Sequence, residues 1–296
     1  MATGETMIGI IGGSGLYAID GLEGEEWRHV PTPWGEPSDA ILTGRLDGVP
    51  VAFLPRHGRG HRYSPTTINY RANIDALKRI GVTDVLSVSA CGSFREAMAP
   101  GDFVLIDQFI DRTVNREKSF FGAGCVAHVS VAEPICQRLR GELKTAAEEG
   151  GIPRVHLGGT YLCMEGPQFS TLAESKMYRE QWGCDVIGMT NMPEAKLARE
   201  AEICYATIAM VTDYDSWHPD HGEVDITAIL KVMHENVSKA RDLLRAVMPR
   251  LGGPRAPCPY GCDRALEYAI ITAPEARDPT LVSKLDAVAG RVLAPV

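Results

Sequence analysis

Between Thr6 and Leu251 the chain alternates short β-branched runs with helix-like patterns, and this alternation restricts the fold more than any other feature. The runs "TMIGIIGG", "DAILTGRL", "VPVAFLP", "DVLSVSACG", "DFVLIDQFI", "GTYLCMEG", "CDVIGMT" and "ICYATIAMVT" are bounded by Gly, Pro or Asp. Helix patterns fall between them: "NYRANIDALKRIG" and "AEPICQRLRGELKTAAEEGG", both with glycine stops, then "LAESKMYREQWG" and "MPEAKLAREAE". The longest helix is expected from Asp225, a suitable N-cap, to about Leu251, with Ile226, Ile229, Leu230, Met233 and Val237 opening its apolar face. Strands separated by helices build a parallel or mixed sheet covered on both sides, and such sheets gather ligands at the carboxyl ends of their strands. No linker or charge block interrupts residues 1–251, which are expected to form one domain. The tail, 252–296, opens with a Gly/Pro-rich connector and continues as one or two short helices, expected to pack on that domain or on a neighbouring subunit.

A net charge of −8 argues against nucleic acid or a membrane surface as partner, so an anionic ligand must be held by local positive groups. Neither a secretory leader pattern nor an apolar stretch of about 18 residues is present, and a cytoplasmic protein is expected. Six of the eight cysteines are scattered singly, several in apolar runs, so a disulfide framework is not implied. Cys258 and Cys262 are four apart but lack a matching second pair, and no metal centre is expected. His218 and His221 are read as solvated or lid residues of a loop rather than metal ligands.

The residues at the strand ends carry the chemistry. "GGSG" after the first could let backbone amides approach a phosphate, with Ser14 adding a hydroxyl. Its glycines miss the G-x-G-x-x-G spacing and "LYAIDGLEG" makes a poor helix, so a dinucleotide-dependent dehydrogenase is the disfavoured reading from another class. "LPRHGRGHRYSP" places three arginines and two histidines after the third strand. Arg56 is the natural anchor for a small anion, since a guanidinium can grip phosphate with two N–H groups, and His57 stands beside it. "SVSACGS" offers Ser89 and the Ala90 amide among small residues. Together with Thr190 these have the chemistry of a site for free inorganic phosphate: hydroxyls, amides and one guanidinium, without a Walker lysine.

In this order, "IIGGSGL", "RHGRGH", "NYRANIDALKRIGVTDVLSVSACGS", "GDFVLIDQFIDRT", "MEGPQFSTLAES", "DVIGMTNMPEAKLAREAEICYA" and "TDYDSW" resemble the purine nucleoside phosphorylase and methylthioadenosine phosphorylase family, over residues 7 to about 251. The resemblance implies a three-layer αβα fold around a central mixed, partly barrel-like sheet. It implies phosphorolysis: phosphate attacks C1′ of a purine nucleoside through an oxocarbenium-like transition state while negative charge develops on the purine. Carried over by motif, Ser14, Arg56, His57, Ser89, Ala90 and Thr190 would hold phosphate. Met189 would meet the ribose, Phe169 would pack near the base, and Ser170 would lie close to its edge. No cofactor is implied, phosphate being a co-substrate.

Asp213 and Asp215 in "TDYD" are the expected catalytic acids, flanking Tyr214. The resemblance assigns Asp213 to purine N7, which requires a proton, so burial that raised its pKa would suit it. Asp215 would accept from an amino group at C6, which favours adenine over 6-oxopurines such as inosine or methylthioinosine. Ile226, Ile229 and Leu230 would line a methylthio pocket, and His128 would approach the 5′ end across a subunit boundary in a homo-oligomer, a trimer or dimer of trimers. The expected reaction is phosphorolysis of 5′-deoxy-5′-methylthioadenosine. At Gln168 the chain departs from the family, which often carries arginine there.

Overall fold

A computed structural model describes residues 4–293 apart from 14, 17 and 219–225. Its strands are β1 (Ile8–Gly12), β2 (Leu22–Arg28), β3 (Ile41–Leu46), β4 (Val49–Pro55), β5 (Asp84–Ser93), β6 (Phe103–Leu105), β7 (Gln108–Arg112), β8 (Val155–Leu157), β9 (Thr160–Met164), β10 (Val186–Gly188) and β11 (Cys204–Tyr214). Helices are α1 (Tyr70–Arg79), α2 (Gln137–Glu149), α3 (Leu172–Glu180), α4 (Asn191–Glu200), α5 (Ile226–Leu251), α6 (Pro279–Lys284) and α7 (Asp286–Leu293). Asp225, the expected N-cap of α5, lies outside the described residues.

The strands form one mixed sheet, in the order β2-β3-β4-β1-β5-β10-β9-β7, with β11, β6 and β8 branching from β5. The path does not return on itself, so the partly barrel-like expectation gives way to an open, branched sheet. Two strands have no counterpart among the expected runs. β2, "LEGEEWR", is almost wholly exposed at the sheet edge and shows no apolar alternation, and β8 is only three residues long. "DFVLIDQFI" divides into β6 and β7, because Asp107 leaves the ladder to accept the Gly159 N–H at 3.1 Å.

Helices cover the sheet: α2 packs with α5, α1 with α4, and α4 and α5 each pack on β11. α1 starts where Asn69 accepts the Ala72 N–H, and α3 where Thr171 and Glu174 form a reciprocal capping box. The main core runs from Ile8 and Ile10 through Val85, Leu86 and Ile208 to Leu244 and Val247, and takes in Leu266, Leu285 and Val288 of the tail. Tail and body are also joined by ion pairs from Arg291 to the buried Glu202 and from Arg79 to Asp286.

The second cysteine pair that the sequence does not display is supplied by folding. Cys136, the residue before α2, and Cys204, the first of β11, meet Cys258 and Cys262 of the tail, and the four sulfurs lie within 4.8 Å of one another.

Candidate active site

β5 organises the site because its neighbours change along its length. β1 pairs with it from Asp84 to Ser87, and β10 joins the same edge, antiparallel, only at Gly92 and Ser93. Residues 88–91 thus face an opening where β1 and β10 diverge, the kind of crevice in which α/β sheets bind ligands. On the other side β11 runs beside β5 almost to its end. Between Val211 and Asp213 the register shifts, so that Asp213 stands opposite Gly92 and Thr212 is the extra residue.

One end of the opening is built around Arg56, directly after β4. Its backbone N–H donates to the Gly12 carbonyl at 2.9 Å, joining the "RHGRGH" loop to the end of β1. The side chain is buried. Nε donates to Glu194 Oε2 at 2.8 Å, Nη1 to the Val88 carbonyl at 2.9 Å, and Nη2 approaches Ser87 Oγ, Glu194 Oε1 and the Ile11 carbonyl. Burial opposes the Arg56 charge, but the Glu194 carboxylate outweighs it and the pKa rises. With its paired edge on Glu194, the guanidinium cannot give an anion the two-pronged grip expected from the sequence. Of its five hydrogens, one on Nη1 has no partner among the described residues.

Glu194 extends this arrangement into a buried polar network. Ser87 Oγ and Tyr205 Oη donate to its Oε1 at 2.7 and 2.8 Å. Asn191 donates to Thr207 Oγ1 at 2.6 Å and to Tyr205 Oη at 3.0 Å, and its Oδ1 accepts from Ser89 Oγ at 2.9 Å. Glu194, Asn191, Ser87 and Tyr205 were not among the expected site residues. The only sequence signal is that Asn191 and Glu194 follow Thr190 in "MTNMPE".

His57 is mostly buried and stacks on His61 with ring centroids 4.1 Å apart. Its Nδ1 lies 2.8 Å from the Tyr63 carbonyl, which can only accept, so Nδ1 carries the proton and Nε2 is an acceptor. Burial, aided by the Arg56 and His61 charges and opposed by the Tyr63 carbonyl, pulls its pKa down to about 4. Ala90 is the one partly exposed residue of β5, beside the buried Ser89. Thr190 is buried at the start of α4, its hydroxyl not used as a cap. Ser14 lies outside the described residues. Among the described residues the next regular element after β1 is β2, not the helix that a dinucleotide site needs.

The other end of the opening holds the acids. Both lie over Gly92: a Cβ placed there would sit 3.0 Å from Asp213 Oδ2, 3.4 Å from Asp215 Cβ and 3.2 Å from Ile187 Cγ2. Asp213 accepts from Thr212 Oγ1 at 2.7 Å. Burial pushes its pKa up to about 6, with the Thr212 hydrogen bond pulling the other way and Asp215 adding to the rise. Asp215 is raised by burial too, opposed by Ser170, whose Oγ is 2.8 and 2.6 Å from its two oxygens. Ser170 precedes the α3 capping box, which fixes the segment. Tyr214 points the other way, donating to the Glu96 carbonyl at 3.1 Å and stacking on His218. Gly92→Ala should displace both carboxylates and lower kcat about tenfold or more. Steady-state assays beside a melting curve would check this, and unchanged kcat would break the link between Gly92 and the acids.

Met189 directly follows β10, and Phe169 directly precedes Ser170, which bonds Asp215. Gly166, at φ +67°, leaves room for Met189, whose Sδ would be 2.5 Å from an added Cβ. Arg116, buried, clamps these loops by donating to the Met189 and Met192 carbonyls at 2.7 and 2.6 Å and to the Glu165 carbonyl at 2.7 Å. Phe169 is 46% exposed. Other expected residues are not gathered here. His128 is exposed, on backbone paired with Ala269 and Ile270 of the tail. Leu230 is 53% exposed and Ile229 half-buried, while the side chain of Ile226, like His221, lies outside what is described.

Comparison with known proteins matches residues 7–249 to the family model described as the phosphorylase superfamily. The S-methyl-5′-thioadenosine phosphorylase of Cereibacter sphaeroides is 71% identical over 289 residues, 98% of this chain and 99% of that one. The crystal structure of a methylthioadenosine phosphorylase from an antarctic soil metagenomic library superposes with a TM-score of 0.87 at 44% identity, covering 96% of this chain and 98% of the other. The Schistosoma mansoni methylthioadenosine phosphorylase in complex with tubercidin gives 0.76 at 37% identity over 83% of this chain and 91% of the other.

Proposed function

Because this chain belongs to the phosphorylase superfamily, we infer that it is a pentosyltransferase that phosphorolyses 5′-deoxy-5′-methylthioadenosine to adenine and 5-methylthioribose 1-phosphate, a salvage reaction. The observation that carries the reading on the structural side is the pair Asp213 and Asp215 over Gly92, on the same strand whose Val88 carbonyl accepts from Arg56. Val88, which accepts from Arg56, and Gly92 are four residues apart on β5, about 13 Å, the span of a nucleoside lying end-on to phosphate.

Phosphate sits at the Arg56 end, held by the remaining Nη1 hydrogen, the Thr190 and Ser14 hydroxyls and the backbone at Ser89 and Ala90. His57, neutral with Nε2 bare, accepts the hydroxyl proton of monohydrogen phosphate and so selects a protonated oxyanion. The anion lies beneath C1′ and stabilises the cationic sugar as the glycosidic bond lengthens. Met189 and Phe169 pack on ribose and base. Asp213 gives its proton to N7 as charge builds on the departing purine, which its raised pKa permits near neutral pH. Asp215, positioned by Ser170, accepts from the 6-amino group.

Ile226, Ile229 and Leu230 flank the methylthio group, completed by His128 of a neighbouring copy in a homotrimer or dimer of trimers. The exposure of Leu230 and His128 in the single chain supports that arrangement. Residues 1–251 carry the chemistry and 252–296 brace it, without an organic cofactor, in the cytoplasm. Among the described residues no helix is long and apolar enough to cross a membrane.

Release of the free base should be fast for methylthioadenosine (adenine), slow for inosine and methylthioinosine (hypoxanthine), and absent without phosphate. Asp215→Asn, whose amide can donate to O6, should shift the ratio of kcat/KM toward the 6-oxopurines by about tenfold or more. A wild-type preference for inosine would defeat the assignment of Asp215.

A further inference from the structure

We propose that Cys136, Cys204, Cys258 and Cys262 bind one zinc ion that fastens the tail to the body of the protein. The sulfurs come from three stretches of chain yet all lie within 4.8 Å of one another, and all four residues are buried. Cys136 and Cys258 Sγ are 3.7 Å apart. That is far beyond the roughly 2.05 Å of a disulfide, and it matches the edge of about 3.8 Å of a tetrahedron whose four Zn–S bonds are each about 2.3 Å. Cys258 and Cys262 are separated by three residues, within the spacing that structural zinc sites use, and Gly261, at φ +69°, turns the loop between them. Packing alone asks only that thiols be buried among apolar groups. It gives no reason for four sulfurs to point at one spot.

The surroundings suit a thiolate centre. A zinc ion with four thiolates carries a charge of −2, which needs nearby positive groups. Arg255 places Nη2 3.4 Å from Cys204 Sγ, and Arg138 lies beside it, both also paired with the fully buried Asp84. Arg255 also reaches Asp263 Oδ2 at 3.9 Å, so both guanidiniums are held by carboxylates beside the sulfurs they face. The Cys258 N–H is held by Asp263 Oδ2 at 2.8 Å, and the Cys136 N–H by the Tyr205 carbonyl at 2.8 Å, so two ligands are fixed by their own backbones. Cys204 and Asp213 stand at opposite ends of β11, nine residues or about 30 Å apart, so the ion would be structural, with no part in phosphorolysis.

Full-length protein purified under reducing conditions without chelator should hold one zinc per chain by elemental analysis. Cobalt exchanged into it should show thiolate charge-transfer bands and the strong visible bands of a tetrahedral sulfur site. Cys258→Ser combined with Cys262→Ser should lose the zinc and melt at a lower temperature, while adenine release at ambient temperature persists. Zinc well below one per chain with no cobalt spectrum, zinc retained by the double variant, or peptide mapping that finds these cysteines joined as disulfides would each overturn the proposal. If the double variant does not fold, the metal count and cobalt spectrum of the unaltered protein decide alone.

Discussion

Replacing Asp213 by asparagine should lower kcat for methylthioadenosine by about two to three orders of magnitude while KM changes only a few-fold. The amide keeps the size of the side chain and can still donate to N7, but it cannot surrender a proton as the purine leaves. The wild-type dependence on pH has a defined sign. Donation requires the protonated acid, whose pKa in the folded protein is about 6, so kcat/KM should fall with rising pH above that value and lose this limb in the asparagine variant. Any effect of phosphate ionisation is common to both enzymes and cancels in their ratio. Stability should move with it. A carboxyl group whose folded pKa is raised from near 4 to about 6 contributes stability that is fully present below the lower value and lost as the pH rises through the upper one. The asparagine variant should therefore be no less stable than the wild type at neutral pH, which separates lost chemistry from lost structure. Equal losses in kcat and in nucleoside binding would remove Asp213 from the role of proton donor.

Glu194→Ala should be the most destabilising single change in the site, costing about 3–5 kcal/mol and lowering the melting temperature by on the order of 10 °C. Both members of the Arg56–Glu194 pair are almost wholly inaccessible, at 2% and 1% side-chain exposure. Deleting the carboxylate leaves a guanidinium charge in the interior, and strands the hydroxyls of Ser87 and Tyr205 that donate to Glu194 Oε1. Glu194→Gln, which keeps volume and one acceptor, should cost less. Phosphate should stabilise the alanine variant more than the wild type, since an anion at the mouth of the crevice can compensate Arg56. Denaturant melts at several phosphate concentrations would test both parts, and a loss below about 1 kcal/mol for the alanine variant would mean that the pair does not hold the site together.

The contrast between these two predictions reflects what a sequence displays. Asp213 and Asp215 are visible because acids that end an apolar run break a local pattern, and Thr190 and His57 each lie just beyond a recognisable strand, with Ser89 inside another. The partner of Arg56 is not visible: Glu194 lies 138 residues away, inside a helix whose pattern it does not disturb. The bond from Ser170 to Asp215, 45 residues apart, shows the same limit at shorter range, although the family resemblance implies that both lie near the base. Pairings of this kind are set by tertiary packing, which leaves no periodic trace. Cys136 and Cys204 look like ordinary core residues for the same reason. β2 escaped because an exposed edge strand does not need alternating apolar residues, and the sheet's branching at β5 is a property of pairing that no single strand encodes.

The extra residue at Thr212 sets a rule for the chain beyond side-chain chemistry. Were it deleted, β11 would step in even pace with β5 and lose the local bend and added twist that aim the two carboxylates. The backbone would be tidier and the enzyme mute. At this point the count of residues matters as much as their kind.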